Sequence, residues 1–257
     1  MSPLRAWLDS TPLASLALDL MRDATGRADP LEPLRPARPV ALPRGLRLGF
    51  WSLTAGAGTS TTAALVAHRS AGAGHAPVLF DLDRWAPSLA LRASLQAATI
   101  ADAMLRPGRE RDCLSRWSDV PLLPGAPELH AIFDAASIAA LIERVAGDSA
   151  AVLDLGAGAD ALDPGLLAAL QRLCLVTGPR TAQLQAAFSS VALLRDVPCE
   201  VGLVTVGAAE PDAERIAARL PWPHLAAIPA DPYLSADEFA ARAPTLAAVD
   251  RLIRACS

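Results

Sequence analysis

The stretch SLTAGAGTSTTAA (52–64) carries the residue types that bind an anion through backbone groups. Gly56 and Gly58 have no Cβ and let main-chain N–H groups approach a phosphate, and the hydroxyls of Ser60 and Thr61 follow where an alanine-rich helix should begin. Thr54, Ala55, Ala57 and Thr59 complete a loop of small side chains. Ser60 stands where the phosphate-loop pattern G-x-x-x-x-G-K-[ST] puts its Mg²⁺ ligand, and Thr59 stands where it puts its lysine. Alone, such a loop also suits a tight strand-to-helix turn. Two further segments end in carboxylates: FDLD brings Asp81 and Asp83, and VLDLGAG brings Asp154 ahead of Gly156 and Gly158. An apolar strand that delivers a carboxylate to a sheet edge is how Mg²⁺ and an attacking water are held in phosphoryl transfer. Asp81, Asp83 and Asp154 are the candidate catalytic residues if hydrolysis persists, and Ser60, Asp81 and Asp154 the candidate metal ligands.

These residues need a sheet whose strand ends converge. LRLGFW (46–51), APVLFDLD (76–83), AAVLDLGAG (150–158), LCLVTG (173–178), CEVGLVTVG (199–207) and HLAAIPA (224–230) read as short buried strands. Helical segments are expected at 60–72, near 164–172, and at 180–195, 210–219 and 235–254. Short apolar strands alternating with helices predict a doubly wound, mostly parallel α/β sheet covered on both faces. Ahead of it, residues 1–28 read as a helical arm, with Leu4, Trp7, Leu8, Leu13, Leu16 and Leu20 at helical spacing broken at Pro12. Residues 29–45 read as an extended linker interrupted by Pro30, Pro33, Pro36, Pro39 and Pro43.

Composition narrows the function further. At 257 residues with 52% hydrophobic side chains, the chain can bury a full core. Arg, Asp or Pro interrupts every apolar run before it could span a membrane, and no signal-peptide pattern opens the sequence, so a cytoplasmic protein is expected. Cys113, Cys174, Cys199 and Cys256 form no CxxC pair and read as reduced thiols. His68, His75, His130 and His224 have no nucleophile or carboxylate partner at motif spacing and read as surface or capping residues. The chain has neither lysine nor asparagine, and its net charge of −4 gives no general attraction for nucleic acid. RPGRERDCLSR (106–116) reads as a solvated loop or helix face, with an arginine surface for an acidic partner or DNA as the alternative.

The order of these motifs resembles the ParA/MinD family of deviant Walker ATPases. That family's loop runs K-G-G-x-G-K-[ST]-T, and Thr54-Ala55-Gly56-Ala57-Gly58-Thr59-Ser60-Thr61 aligns with it without gaps. FDLD is similar to the second motif, VLDLGAG to the Walker B strand, and HLAAIPADPYLSADEFAARAP to the closing segment that contains Pro229. The resemblance implies one P-loop domain over residues 46–257 and a nucleotide site at residues 54–61 and Pro229, taking ATP or ADP with Mg²⁺.

Both lysines of the motif are absent: Thr54 stands where one reaches across a dimer, and Thr59 where the other grips the β/γ-phosphates. The family's adenine-contacting asparagine after GLVTV is missing too. The pattern implies a pseudo-ATPase of the CpaE/TadZ-like kind, a positioning or assembly scaffold for pilus or secretion machinery. It would act as a homodimer, or as a heterodimer with a related ATPase, recruited from the cytoplasm to the inner membrane face. Two alternatives stay open: a slow Mg-dependent ATPase of chromosome or plasmid partitioning, with DNA as partner, and a nucleotide-free structural subunit.

Overall fold

The structure is a computed structural model that describes residues 38–234 and 241–257. The expected arm, the linker up to residue 37 and residues 235–240 of the expected closing helix lie outside the described residues. The chain divides into Met1–Arg35 and Pro36–Ser257, and the second unit holds the fold.

Eight strands form one sheet: β1 (Arg47–Ser52), β2 (Val78–Asp81), β3 (Ser115–Trp117), β4 (Val120–Leu123), β5 (Ala151–Ala157), β6 (Arg172–Thr177), β7 (Glu200–Val206) and β8 (His224–Ile228). Their spatial order is β3-β4-β2-β5-β1-β6-β7-β8. All neighbours are parallel except the β3–β4 hairpin at one edge. The main helices are α1 (Thr59–Ala71), α2 (Ala135–Ala146), α3 (Thr181–Leu193), α4 (Glu210–Ala217) and α5 (Ala243–Ala255). The doubly wound, mostly parallel architecture expected from the sequence is the one observed.

Strand β1 shows why its sequence is apolar throughout. All six residues are buried, because helices cover both faces of the sheet. Leu48 and Phe50 join one core with α1 and α5, while Trp51 joins the other with α2. The same alternation on β6 sends Cys174 and Val176 to the first core and Leu173 and Leu175 to the second. Helix α1 is buried along most of its length and is clamped to α5 by Arg69, whose Nε and Nη2 each donate at 2.7 Å to the Asp250 carboxylate. At the start of the domain, Leu42 is buried and its N–H donates to Ser70 Oγ at 3.0 Å.

Several local expectations are corrected. The segment near 164–172 forms a helical turn only over Pro164–Leu167, because Arg172 already pairs in β6. Residues 106–116 are not merely a solvated face: Glu110 is buried and accepts from Arg144 Nε at 2.7 Å, Cys113 is in the core, and β3 begins at Ser115. His68 is half-buried rather than fully exposed. It packs edge-on against Trp117 with ring centroids 4.7 Å apart, and burial lowers its pKa. Helix α2 and the β3–β4 hairpin have no counterpart among the expected elements. For α2 the signal was present, since Asp134 caps it by accepting from Ser137 N–H at 2.9 Å and Ile138, Leu141, Ile142 and Val145 follow at helical spacing.

Candidate functional site

The carboxyl ends of the parallel strands converge on the loop after β1. Gly56 and Gly58 have φ of 77° and 94°, a left-handed backbone that costs other residues energy, and Gly58 is the N-cap of α1. Thr62 N–H and its hydroxyl both donate to the Gly58 carbonyl at 2.8 Å, which closes the first turn of α1. The first N–H groups of α1, from Thr59 to Thr61, thus face away from any intrahelical acceptor, as an anion cradle requires.

The rest of the loop is held by neighbours. Thr54 N–H lies 3.4 Å from Ser52 Oγ, and Ser52 C=O accepts from Gly158 N–H at 3.0 Å. Trp51 Nε1 donates to Gly158 C=O at 2.8 Å, joining β1 to the loop after β5. Ala55 and Gly56 are exposed while Ala57 and Thr59 are buried. A Cβ on Gly58 would lie 3.2 Å from Val206 at the end of β7, so that strand end abuts the loop. Pro229 follows β8, which is tied there to β7 by Gly207 N–H donating to Ile228 C=O at 2.9 Å.

Asp81 and Asp154 are register partners on β2 and β5, and both are buried. Asp154 Oδ1 accepts from Gly156 N–H at 3.1 Å, whereas its Oδ2 is buried with no hydrogen-bond partner. Burial pushes the Asp154 carboxyl up to about 6, although the Ser60 side chain, the Gly156 N–H and the Arg92 charge favour its ionised form. Asp81 rises further, to about 8, through burial and then the neighbouring Asp154 charge. Its Oδ2 accepts from Ser88 and Leu89 N–H at 2.9 Å, so Asp81 caps the helical turn Leu89–Arg92. Asp83 is half-buried; its Oδ1 accepts from Trp85 and Ala86 N–H, and its side chain lies against Gly156.

Asp81, Asp83, Asp154 and the loop 54–61 therefore share one rim of the sheet. An orphaned buried carboxylate oxygen beside a serine hydroxyl suits a hard divalent cation. Among the described residues no group of three or more His, Cys, Asp or Glu side chains forms a metal cage. A cation here would be completed by water and ligand oxygens, which is the habit of Mg²⁺.

Sequence reasoning missed two residues of this site. Gln183 on α3 donates from Nε2 to the Gly56 carbonyl at 3.0 Å. Arg92 donates from Nη1 to Thr61 Oγ1 at 2.7 Å and from Nη2 to the Leu234 carbonyl at 3.2 Å. No local pattern marks either one, since each arrives from a separate element. Among the described residues no helix is long and apolar enough to cross a membrane.

A parallel sheet with a glycine loop between a central strand and the following helix, and carboxylates ending two neighbouring strands, is the architecture of the P-loop fold. The fold is that of the MinD and ParA ATPases. MinD of Pyrococcus horikoshii OT3, in complex with Mg-ADP, is similar with a TM-score of 0.68 and 20% identity over 81% of this chain and 94% of that one. The cell division ATPase MinD of Pyrococcus furiosus matches with a TM-score of 0.68 and 20% identity over 82% and 98%. The MinC:MinD cell division complex of Aquifex aeolicus matches at 0.68 and 17% over 81% and 94%. No protein-family model and no curated protein sequence matches the chain.

Proposed function

We propose that this chain is a ParA/MinD-like pseudo-ATPase that binds ATP or ADP weakly with Mg²⁺ and serves as a positioning or assembly scaffold. What supports this reading is the glycine loop between β1 and α1, with threonine at both positions where the motif has lysine. Gly58 keeps its left-handed conformation and Thr59–Ala71 its helix, yet Thr54 and Thr59 supply no charge. In this reading the N–H groups of residues 56–61 bind the phosphates, and the end of β7 with Pro229 borders the base. Ser60 and Asp154 would hold Mg²⁺, with Asp81 behind them. The metal, when bound, would neutralise phosphate charge that the buried carboxylates otherwise repel.

Loss of a charge-assisted phosphate contact weakens binding by roughly 1.5–3 kcal/mol. Loss of comparable transition-state stabilisation slows chemistry by about a hundredfold or more. Conformation and contact surfaces, rather than turnover, are then what the site controls. The likeness to MinD, which in one neighbour is complexed with MinC, supports a protein partner. We assign that partner to a membrane-associated pilus or secretion assembly of the CpaE/TadZ-like kind, with the chain acting as a homodimer or beside a related ATPase.

Calorimetric titration of Mg·ATP into the wild type and a Thr59→Lys variant tests the reading. The wild type should bind weakly and only with the metal, and the substitution should tighten binding about tenfold to a hundredfold. Turnover well above background would favour a partition ATPase instead. Absence of binding by both proteins would leave a nucleotide-free structural subunit.

A further inference from the structure

We propose that Cys174 and Cys256 are a reversible redox pair, neighbouring thiols that a peroxide converts into a disulfide tying the end of α5 to β6. The pair stands whether or not the glycine loop holds a nucleotide.

Cys174 and Cys256 lie in the same buried cluster between the sheet and α5, and the Cys174 S–H donates to the Cys256 sulfur. Cys174 sits in the ladder of β6 between Phe50 of β1 and Gly202 of β7, so its place is fixed. Cys256 ends α5, where its N–H is shared between the Leu252 and Ile253 carbonyls at 3.1 Å each. The last turn of a helix adjusts readily, and a disulfide needs its sulfurs brought to about 2.05 Å without large backbone movement.

Arg172 separates this pair from an ordinary packing contact. It precedes Cys174 on the same face of β6, and its Nη1 donates to the Ala255 carbonyl, which puts the guanidinium beside Cys256. Glu200 is exposed and takes Nη2, leaving Nη1 turned to α5. The carboxyl end of a helix disfavours an anion, and the guanidinium offsets that. The Cys174 hydrogen bond and the Arg172 charge lower the Cys256 pKa against the opposing effect of burial, whereas burial raises Cys174 well above its ordinary value. The thiolate is the form that reacts, and a cysteine beside an arginine is the kind that oxidises first. Cys256 is also the more accessible of the two, 5% exposed against 0% for Cys174.

The Cys256 thiolate attacks one peroxide oxygen and breaks the O–O bond, and the other oxygen leaves as hydroxide and takes up a proton to become water. The Cys174 sulfur then attacks the sulfenic acid on Cys256. Its S–O bond breaks, the S–S bond forms, and the oxygen leaves as water with the Cys174 proton. Peroxide is reduced and the two sulfurs are oxidised. Cys199 is the rival partner, since its charge is felt at Cys174, but burial raises its own pKa.

The test treats the full chain with hydrogen peroxide, alkylates the remaining thiols under denaturing conditions and maps the peptides by mass. The wild type should yield one linked pair, Cys174 with Cys256, which dithiothreitol releases. The oxidised wild type should unfold at higher urea than the reduced protein, and Cys256→Ser should abolish that rise. Arg172→Gln should slow formation of the link several-fold and Arg172→Lys should restore most of the rate, a pattern that packing alone would not produce.

A link from Cys174 to Cys199, a link between two copies of the chain, or sulfinic acid on Cys256 without any link would each overturn the pair. Wild-type thiols that all stay open to alkylation after peroxide would overturn it too. Mapping of the wild type needs no variant to fold, so the outcome is decided even if Cys256→Ser or Arg172→Gln is unstable.

Discussion

Asp81 and Asp154 lie opposite each other in register on β2 and β5, two buried carboxylates on adjacent parallel strands. Burial and the charge of its neighbour raise Asp81 to about 8, and burial raises Asp154 to about 6. Both lie above the value of about 3.9 for an unfolded aspartate, so the folded chain binds more protons than the unfolded chain in between. This contribution to stability is complete below about pH 4 and is lost as pH rises through the two folded values. Denaturant midpoints measured in a chelator should therefore fall between about pH 4 and about pH 8, and Asp154→Asn should flatten the fall. A steeper rather than shallower profile in the variant would contradict the assignment.

The Arg69–Asp250 pair joins α1 to α5 with both side chains nearly buried. Removing one partner strands the other charge, so Arg69→Ala should cost about 3–5 kcal/mol in urea unfolding. The double replacement Arg69→Met, Asp250→Leu should cost much less, since no charge is left behind. Equal losses from the single and double replacements would show that the charge is not the cause.

Gly58 and Gly74 have similar left-handed φ values of 94° and 90°, but only Gly58 meets a neighbour, Val206. Alanine at either position should cost about 1–2 kcal/mol of stability. Gly58→Ala alone should also weaken Mg·ADP binding in calorimetry. Equal affinity in the two variants would detach the loop conformation from ligand binding.

Gln183 ties α3 to the loop through the Gly56 carbonyl. Gln183→Ala should cost about 1 kcal/mol for the lost hydrogen bond. Amide exchange at residues 55–58 should quicken while that of α1 stays slow. Unchanged exchange in the loop would mean that Gln183 does not restrain it.

How much of this site can be read from the sequence depends on how local each signal is. The loop, the two carboxylate-ended strands and the absent lysines lie within short segments whose residue types state their own chemistry. The Arg92 contact with Thr61 spans 31 residues and the Gln183 contact with Gly56 spans 127, and neither leaves a periodic trace. The β3–β4 hairpin escaped for a related reason: SRW and VPLL are too short for alternation to register, and they become strands because β4 pairs with β2.

The sequence by itself thus determined the doubly wound class, the glycine loop between β1 and α1 and the absence of lysine from it, because periodicity, glycine and charge act over a few neighbouring residues. Only the tertiary structure decided that Asp81 would spend one oxygen on capping the turn 89–92, that Asp154 would keep an oxygen without a partner, and that an arginine would reach Thr61. Those outcomes depend on which strand ends lie side by side, and sheet order is set by packing between elements far apart in the chain.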